Sequence, residues 1–402
     1  MNNIKWGSII PLIGGFHIAS NNVIQTEAEI IFSYKPFEFN DSLLLRYLKQ
    51  KPIKTPYYFI EDINKNIINK YSNKINIICG VPPCSGISNA ANRKTGTRGT
   101  AAPNDWMYKS ANFILEHIMP DVYVFENAPG LYTNAGELVR ENLINISAKF
   151  NYGITFYRTN TILHGVPQHR PRTYVIMIKN KQAPILNYYN IKAPTLTEYL
   201  KQIPKTASLQ NEYFSDEPFI DKYEITQFFK NELGDDWRKI ILDYKEHICV
   251  YNFISEMGLI NKFKNYLNDN NGSEEVKKDI EHVIKKTSDN KNFRLSKKNF
   301  CIDKDIVYAI IGESMVRNIH QQENRLLNIR ENMWLMGLPH DFELYNKKEF
   351  AKIPQNVPVA TSQDIIKECI EIINGNREFS KDNVLMQNNI KHNEEELNIK
   401  LF

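Results

Sequence analysis

Cysteine is scarce and scattered in this chain. The 402 residues hold five, Cys79, Cys84, Cys249, Cys301 and Cys369, and no two form a CxxC pair. That spacing excludes a zinc ribbon or a dithiol redox motif, so no metal is expected. An odd number without a framework points to a reducing compartment. No apolar run approaches the roughly 20 residues of a membrane span. The first residues lack the charged segment, apolar run and small-residue end of a secretory signal. A strong charge balance is missing too. Fifty Lys and Arg against 46 Asp and Glu leave a net +4, which is compatible with nucleic acid but does not argue for it. No internal repeat is visible. The expectation is a soluble cytoplasmic protein without membrane contact.

What is present suits a globular α/β protein. Hydrophobic residues make up 42%, enough for one large core and a smaller second lobe. Compact apolar runs closed by Gly, Pro or polar residues predict strands within 6–16, 28–38, 75–80, 121–130 and 172–178. The second of these ends on Glu38. Between the third and fourth, Met107, Ala111, Ile114, Leu115 and Ile118 recur at helical spacing, and Pro120 stops the helix. Strand and helix in alternation argue for a mostly parallel sheet with helices on both faces. From about 180 to 320 the rhythm is lost and Asn, Lys and Tyr increase. Residues 325–344 and 353–375 resume helical patterns whose apolar faces need the first lobe as partner. The boundaries expected are 1–180 for the first lobe, 181–320 for an inserted domain, 321–376 for a returning piece, and 377–402 for a loose polar tail.

Ligands of such sheets sit at the carboxyl ends of the strands. Those ends carry Gly14-Gly15-Phe16, Glu38-Phe39, Asp62-Ile63, Pro83-Cys84 and Glu126-Asn127, and "GVPQHRPR" precedes the fifth strand with Gln168, Arg170 and Arg172. Singly, each signal is weak. A Gly-Gly pair is usually only a turn, a lone Pro-Cys is usually packing, and an Arg-x-Arg pair is usually a solvated patch.

In order, the set is specific. Pro83-Cys84, Glu126-Asn127, Gln168-x-Arg170-x-Arg172, Arg325…Arg330-Glu331 and Gln355-Asn356-Val357-Pro358 resemble the successive motifs of DNA (cytosine-5) methyltransferases. The likeness covers most of 6–178 and 320–372. It implies a Rossmann-like methyltransferase fold and S-adenosyl-L-methionine as cofactor. By position, Cys84 would be the nucleophile at carbon 6 of the cytosine. Glu126 would contact ring nitrogen 3 and the exocyclic amine. Arg172 would hold the cytosine oxygen, with Arg170 beside it. The cofactor would lie against Ile10, Gly14, Gly15, Phe16, Glu38, Phe39, Asp62, Ile63, Pro83, Met107, Asn356 and Val357. The inserted 181–320 would recognise the target. Its basic cluster, from Lys277 to Lys298, reads more readily as a solvated helix face than as a groove reader.

The chemistry accounts for these residue types. Carbon 5 of cytosine is a poor nucleophile until a thiolate adds at carbon 6, which divides one hard step into two easier ones. The reacting base must leave the duplex stack. The loop after Cys84 would then close on DNA, with Ser88, Arg93, Lys94 and Arg98 joined by Gln168 as DNA contacts. A monomer acting on double-stranded DNA is expected, with a cognate restriction endonuclease as candidate partner. Two other readings stay open: an RNA methyltransferase on the same scaffold, and a catalytically inactive DNA-binding relative. The large insertion favours DNA, and the intact Cys84, Glu126 and Arg172 argue against inactivity. Several positions depart from the pattern. Ser8 stands where an acid is expected, and Leu12 where a glycine is. Ser85 replaces a glutamine, Asn328 a threonine, and Gln355 a glycine.

Overall fold

The computed structural model describes residues 4–52, 54–83, 87, 105–204, 224–245, 247–288, 300–310, 317–323 and 327–397. The chain divides into two compact units. One comprises 1–193, 335–344 and 355–402; the other comprises 194–334 and 345–354.

The first unit is built on an eight-stranded sheet. Its strands are β1 (Trp6–Ile9), β2 (Ile30–Ser33), β3 (Tyr57–Phe59), β4 (Ile77–Gly80), β5 (Val122–Asn127), β6 (Tyr152–Asn160), β7 (Pro171–Lys179) and β8 (Val384–Asn388). They lie in the order β8-β6-β7-β5-β4-β1-β2-β3. Every pairing is parallel except those of β7, which runs antiparallel to both β5 and β6. β1, β2, β4 and β5 are buried along their whole length, as strands covered on both faces must be. Their side chains, among them Trp6, Ile30, Phe32, Ile77 and Phe125, form one core. The order of the sheet reverses between β1 and β4. Their carboxyl ends therefore flank the crevice where open α/β sheets bind ligands.

The helices follow the alternation: α1 (Gly15–Ile24), α2 (Glu38–Lys49), α3 (Lys65–Tyr71), α4 (Asp105–Phe113), α5 (Glu137–Lys149), α6 (Val359–Ile373) and α7 (Asn389–Leu397). α1 packs against α6.

Several expectations are corrected. The run 28–38 is not one strand. β2 ends at Ser33, a 3-10 turn occupies Lys35–Phe37, and Glu38 opens α2. Pro36, lacking an N–H, cannot continue the ladder. The helix expected through 120 stops being α-helical at Phe113. A π-turn covers Ile114–Ile118, and Met119 (φ +52°) closes it before Pro120. Among the described residues of 325–344 only Ile329–Leu335 is helical, because Gly337 (φ +72°) and Pro339 end it. The loose tail is largely ordered. Val384–Asn388 is β8, paired in register with Ile154–Arg158, and α7 follows it. β6 itself, nine residues long, is a strand the pattern missed.

The second unit has its own core. Helices Glu224–Leu233, Trp237–Tyr244, Val250–Glu256, Ile260–Asp269 and Glu274–Ser288 bury Phe228, Phe229, Trp237, Phe253 and Phe263 together. Phe300–Asp303 pairs antiparallel with His247–Cys249 and parallel with Arg317–Asn318. At Asn328 the departure from threonine has a local reason. Its Oδ1 accepts the Glu331 N–H (2.8 Å) while Glu331 accepts the Asn328 N–H (2.7 Å), a reciprocal cap that either residue type can make.

Candidate active site

Strand register places the first pair of groups. Glu126 lies opposite Tyr174, so Arg172, two residues from Tyr174 on β7, shares its face of the sheet. The Arg172 Nε sits 2.6 Å from Glu126 Oε1, with both side chains largely buried. Asn127, on the opposite face, is also buried. Its Nδ2 donates to the Pro82 carbonyl (3.1 Å) and reaches Met107 Sδ (3.2 Å), while its Oδ1 accepts the Ala128 N–H. Asn127 thus pins the double-proline turn that carries the chain from β4 toward position 84. Met107, expected at the cofactor, is fully buried behind this contact.

Arg170 reaches elsewhere. Its backbone N–H is held by Asn160 Oδ1 at 2.9 Å, and its guanidinium donates to the Asn356 carbonyl at 3.1 Å. The Asn356 side chain accepts the Gly15 N–H (2.7 Å) and donates to the Met336 carbonyl. One connected series therefore runs from the 168–172 segment through Asn356 to the glycine turn after β1. Gly15 must be glycine here. A Cβ would stand 2.1 Å from the Val357 carbonyl oxygen. Gly14 is also constrained, at φ +105°.

The turn before Gly14 is unusual. Ile10 (φ +46°) and Leu12 (φ +53°) both occupy the left-handed region, which explains why a glycine would be expected at position 12. Asp41, on α2, accepts the Leu12 N–H at 3.0 Å. The same carboxyl group is bonded to Ser33 at the end of β2 and accepts from the Tyr57 hydroxyl at 3.1 Å. Burial pushes Asp41 up to about 7, against the three hydrogen bonds that favour its carboxylate. Ser8 too has a local explanation. It pairs with His17 Nδ1 at 3.0 Å, and burial holds that imidazole neutral, down at about 3. A hydroxyl facing a neutral ring places no charge in the core.

Other expected residues are placed as follows. Glu38 and Phe39 are exposed at the start of α2, and Glu38 accepts no hydrogen bond among the described residues. Asp62 follows β3 and holds Lys35 Nζ at 2.7 Å, both side chains more than half exposed; Ile63 beside it is half-buried. Phe16 is buried edge-on against Tyr174. Gln168, expected to face DNA, is instead wholly buried, and its amide has no partner among the described residues. Cys84, Ser85, Ser88, Arg93, Lys94, Arg98 and Arg325 lie outside the described residues. Asp41 and Asn160 take part in this arrangement although the motifs do not single them out. Only the polar character of Asp41 in an apolar helix face could have marked it.

The surroundings fit an adenosyl cofactor. The exposed Glu38 carboxylate can accept ribose hydroxyls, the Phe39 ring beside it is exposed, and the glycine turn brings main chain to the crevice. A nearly parallel sheet with one antiparallel strand and a glycine turn after β1 is the Rossmann-like fold of a methyltransferase. The family model for C-5 cytosine-specific DNA methylase matches residues 5–371, and the chain belongs to that family. The type II methyltransferase M1.HphI of Haemophilus parahaemolyticus is 23% identical over 304 residues, covering 74% of this chain and 69% of its own. M.HindV of Haemophilus influenzae is 32% identical over 139 residues, covering 35% of this chain and 40% of its own. Among solved structures, a putative DNA modification methyltransferase encoded within an Escherichia coli prophage matches with TM-score 0.56 at 15% identity, over 92% of this chain and 99% of that one. Entamoeba histolytica EhMeth matches with TM-score 0.56 at 13% identity, over 93% and 99%. Among the described residues no helix is long and apolar enough to cross a membrane, and no group of His, Cys, Asp and Glu could hold a metal ion.

Proposed function

We propose that the chain methylates carbon 5 of a cytosine in duplex DNA, with S-adenosylmethionine as methyl donor. The observation that carries this reading is the Glu126–Arg172 pair (2.6 Å) beside the Pro82 turn that leads to Cys84. When bound, the cofactor supplies the methyl group. Glu38, Phe39, Ile63 and the glycine turn would hold it, with Asn356 fixing that turn.

Cys84 would add to carbon 6 of the ring, which makes carbon 5 nucleophilic. Once carbon 5 carries the methyl group, a base would take its proton and the Cys84 thiolate would leave carbon 6, restoring the ring and the enzyme. Glu126 would share a proton with ring nitrogen 3 as charge builds there. Arg172, oriented by Glu126, would donate to the carbonyl oxygen on carbon 2 of the cytosine. The target base must be extruded to reach these groups, and the basic segment containing Arg93, Lys94 and Arg98 would hold the phosphates around it. The inserted residues 181–320 would recognise the site, a role supported by their place in the sequence between the Gln168-x-Arg170-x-Arg172 and Arg325…Glu331 motifs. The names of the relatives support a modification role within a restriction-modification system.

The test is expression in a host free of cytosine methylation, followed by base-resolution mapping of 5-methylcytosine. Methylation at a defined duplex sequence, lost in Cys84→Ala, is the expected result. Methyl transfer to transfer RNA but not to duplex DNA would replace the substrate. Transfer surviving Cys84→Ala would overturn the mechanism.

A further inference from the structure

The turn between β1 and α1 holds two left-handed non-glycine residues within three positions, Ile10 and Leu12. Each such residue costs about 1–2 kcal/mol relative to its relaxed conformation, so something must hold the turn. Ile10 N–H donates to the Phe32 carbonyl (2.9 Å), and Gly14 N–H to that of Pro11 (3.0 Å). Those bonds bracket Leu12 without touching it. Leu12 itself is held by Asp41 Oδ1. The Asp41 carboxyl is fully buried, and its remaining bonds go to Ser33, the last residue of β2, and Tyr57, the first of β3. A single side chain therefore ties the strained turn to the two strands beside it. No step of the proposed chemistry uses it, and an unpaired carboxyl would be expensive to keep in such a place.

We propose that Asp41 is a positioning residue, which holds the Ile10–Gly14 turn in the conformation that receives S-adenosylmethionine. The inference rests on the cofactor assignment above. A glycine at position 12 would need no such clamp, because it enters the left-handed region at no steric cost. In this chain leucine and Asp41 together take the place of that glycine.

The full-length protein tests this by calorimetric titration with S-adenosylmethionine and S-adenosylhomocysteine. Asp41→Ala is expected to weaken both about tenfold, the worth of one buried hydrogen bond. Affinity for a fluorescent duplex should stay within about twofold, and the kinetic loss should appear in KM for the cofactor rather than in kcat. Asp41→Asn, which keeps an acceptor for the Leu12 N–H, should restore most of the affinity. So should Leu12→Gly added to Asp41→Ala. A lower Tm with unchanged cofactor affinity would reduce Asp41 to a purely structural role. Failure of Leu12→Gly to rescue would show that the loss does not pass through the turn. Where Asp41→Ala does not fold, hydrogen exchange on the wild-type protein decides. The Leu12 amide must be protected before cofactor is added, and free exchange would overturn the proposal. Wild-type protein that binds neither compound would instead overturn the cofactor assignment.

Discussion

Arg172 and Glu126 meet at 2.6 Å across two antiparallel strands, with both side chains largely withdrawn from water. Removing one partner leaves the other as an uncompensated charge in a poorly solvated place. Arg172→Ala is therefore expected to lower the rate of methyl transfer about 10²–10³-fold, the range for losing one group aimed at developing charge. Cofactor affinity should not change. Single-turnover kinetics with excess enzyme checks this, and a rate within tenfold of wild type would remove Arg172 from the reacting centre.

The sequence singles out both residues, because each sits in a short motif whose order and spacing are distinctive, but it does not announce their contact. The central strands are legible for a simple physical reason: buried strands are short apolar runs. Where sequence patterns mislead, distant partners override local chemistry. β8, "VLMQN", is too short and too mixed to announce itself, and gains its place because Gln387 and the backbone pair with the 152–186 region. Asp41 resembles any helical acid. Its meaning depends on Leu12, 29 residues away, adopting a conformation that no pattern of apolar residues announces.

Asp41 should leave a mark on the pH dependence of stability. Burial raises it to about 7 from an ordinary value near 4. The groups that face it are Ser33, Tyr57 and the Leu12 amide, and none of them is a cation. Between about pH 4 and pH 7 the folded protein holds a proton that the unfolded chain releases. Stability therefore falls as pH rises through that window and levels off above it. The total should be on the order of a few kcal/mol. Urea denaturation at pH 5, 6, 7 and 8 should show the slope in wild type and a flatter profile in Asp41→Asn. Parallel profiles would mean that the carboxyl group stays ionised throughout.

Gly15→Ala should damage both the fold and the pocket. The new methyl group would meet the backbone oxygen of Val357 at 2.1 Å, and main chain cannot rotate aside as a side chain can. Either the glycine turn or the 355–358 segment must move, breaking the bond from Gly15 to Asn356. A loss of about 1–3 kcal/mol in unfolding free energy is expected from overpacking, with cofactor affinity reduced at least tenfold. Denaturation and calorimetry on the same preparation test both. An alanine variant with wild-type cofactor affinity would show that the 355–358 segment does not form the pocket wall.

Removal of residues 384–402 distinguishes a folded edge strand from an appended tail. β8 pairs along its whole length with β6. Gln387 accepts the Leu186 N–H at 2.9 Å and donates to the Leu186 carbonyl at 2.5 Å. Asn389 donates to Thr159 and accepts from the Tyr189 N–H, each at 2.9 Å. Truncation would strip these partners from buried groups and expose the edge of β6, whose neighbour on the other side is β7, the strand that bears Arg172. Deleting an unstructured tail changes stability by no more than about 0.5 kcal/mol, whereas loss of a paired strand with its buried hydrogen bonds belongs to the large, named mechanisms of destabilisation. A truncated protein is thus expected to lose more than about 3 kcal/mol and to associate through the bare strand edge. Urea denaturation and light scattering check the two effects separately. Unchanged stability in the truncated chain would return residues 384–397 to the status of an accessory segment.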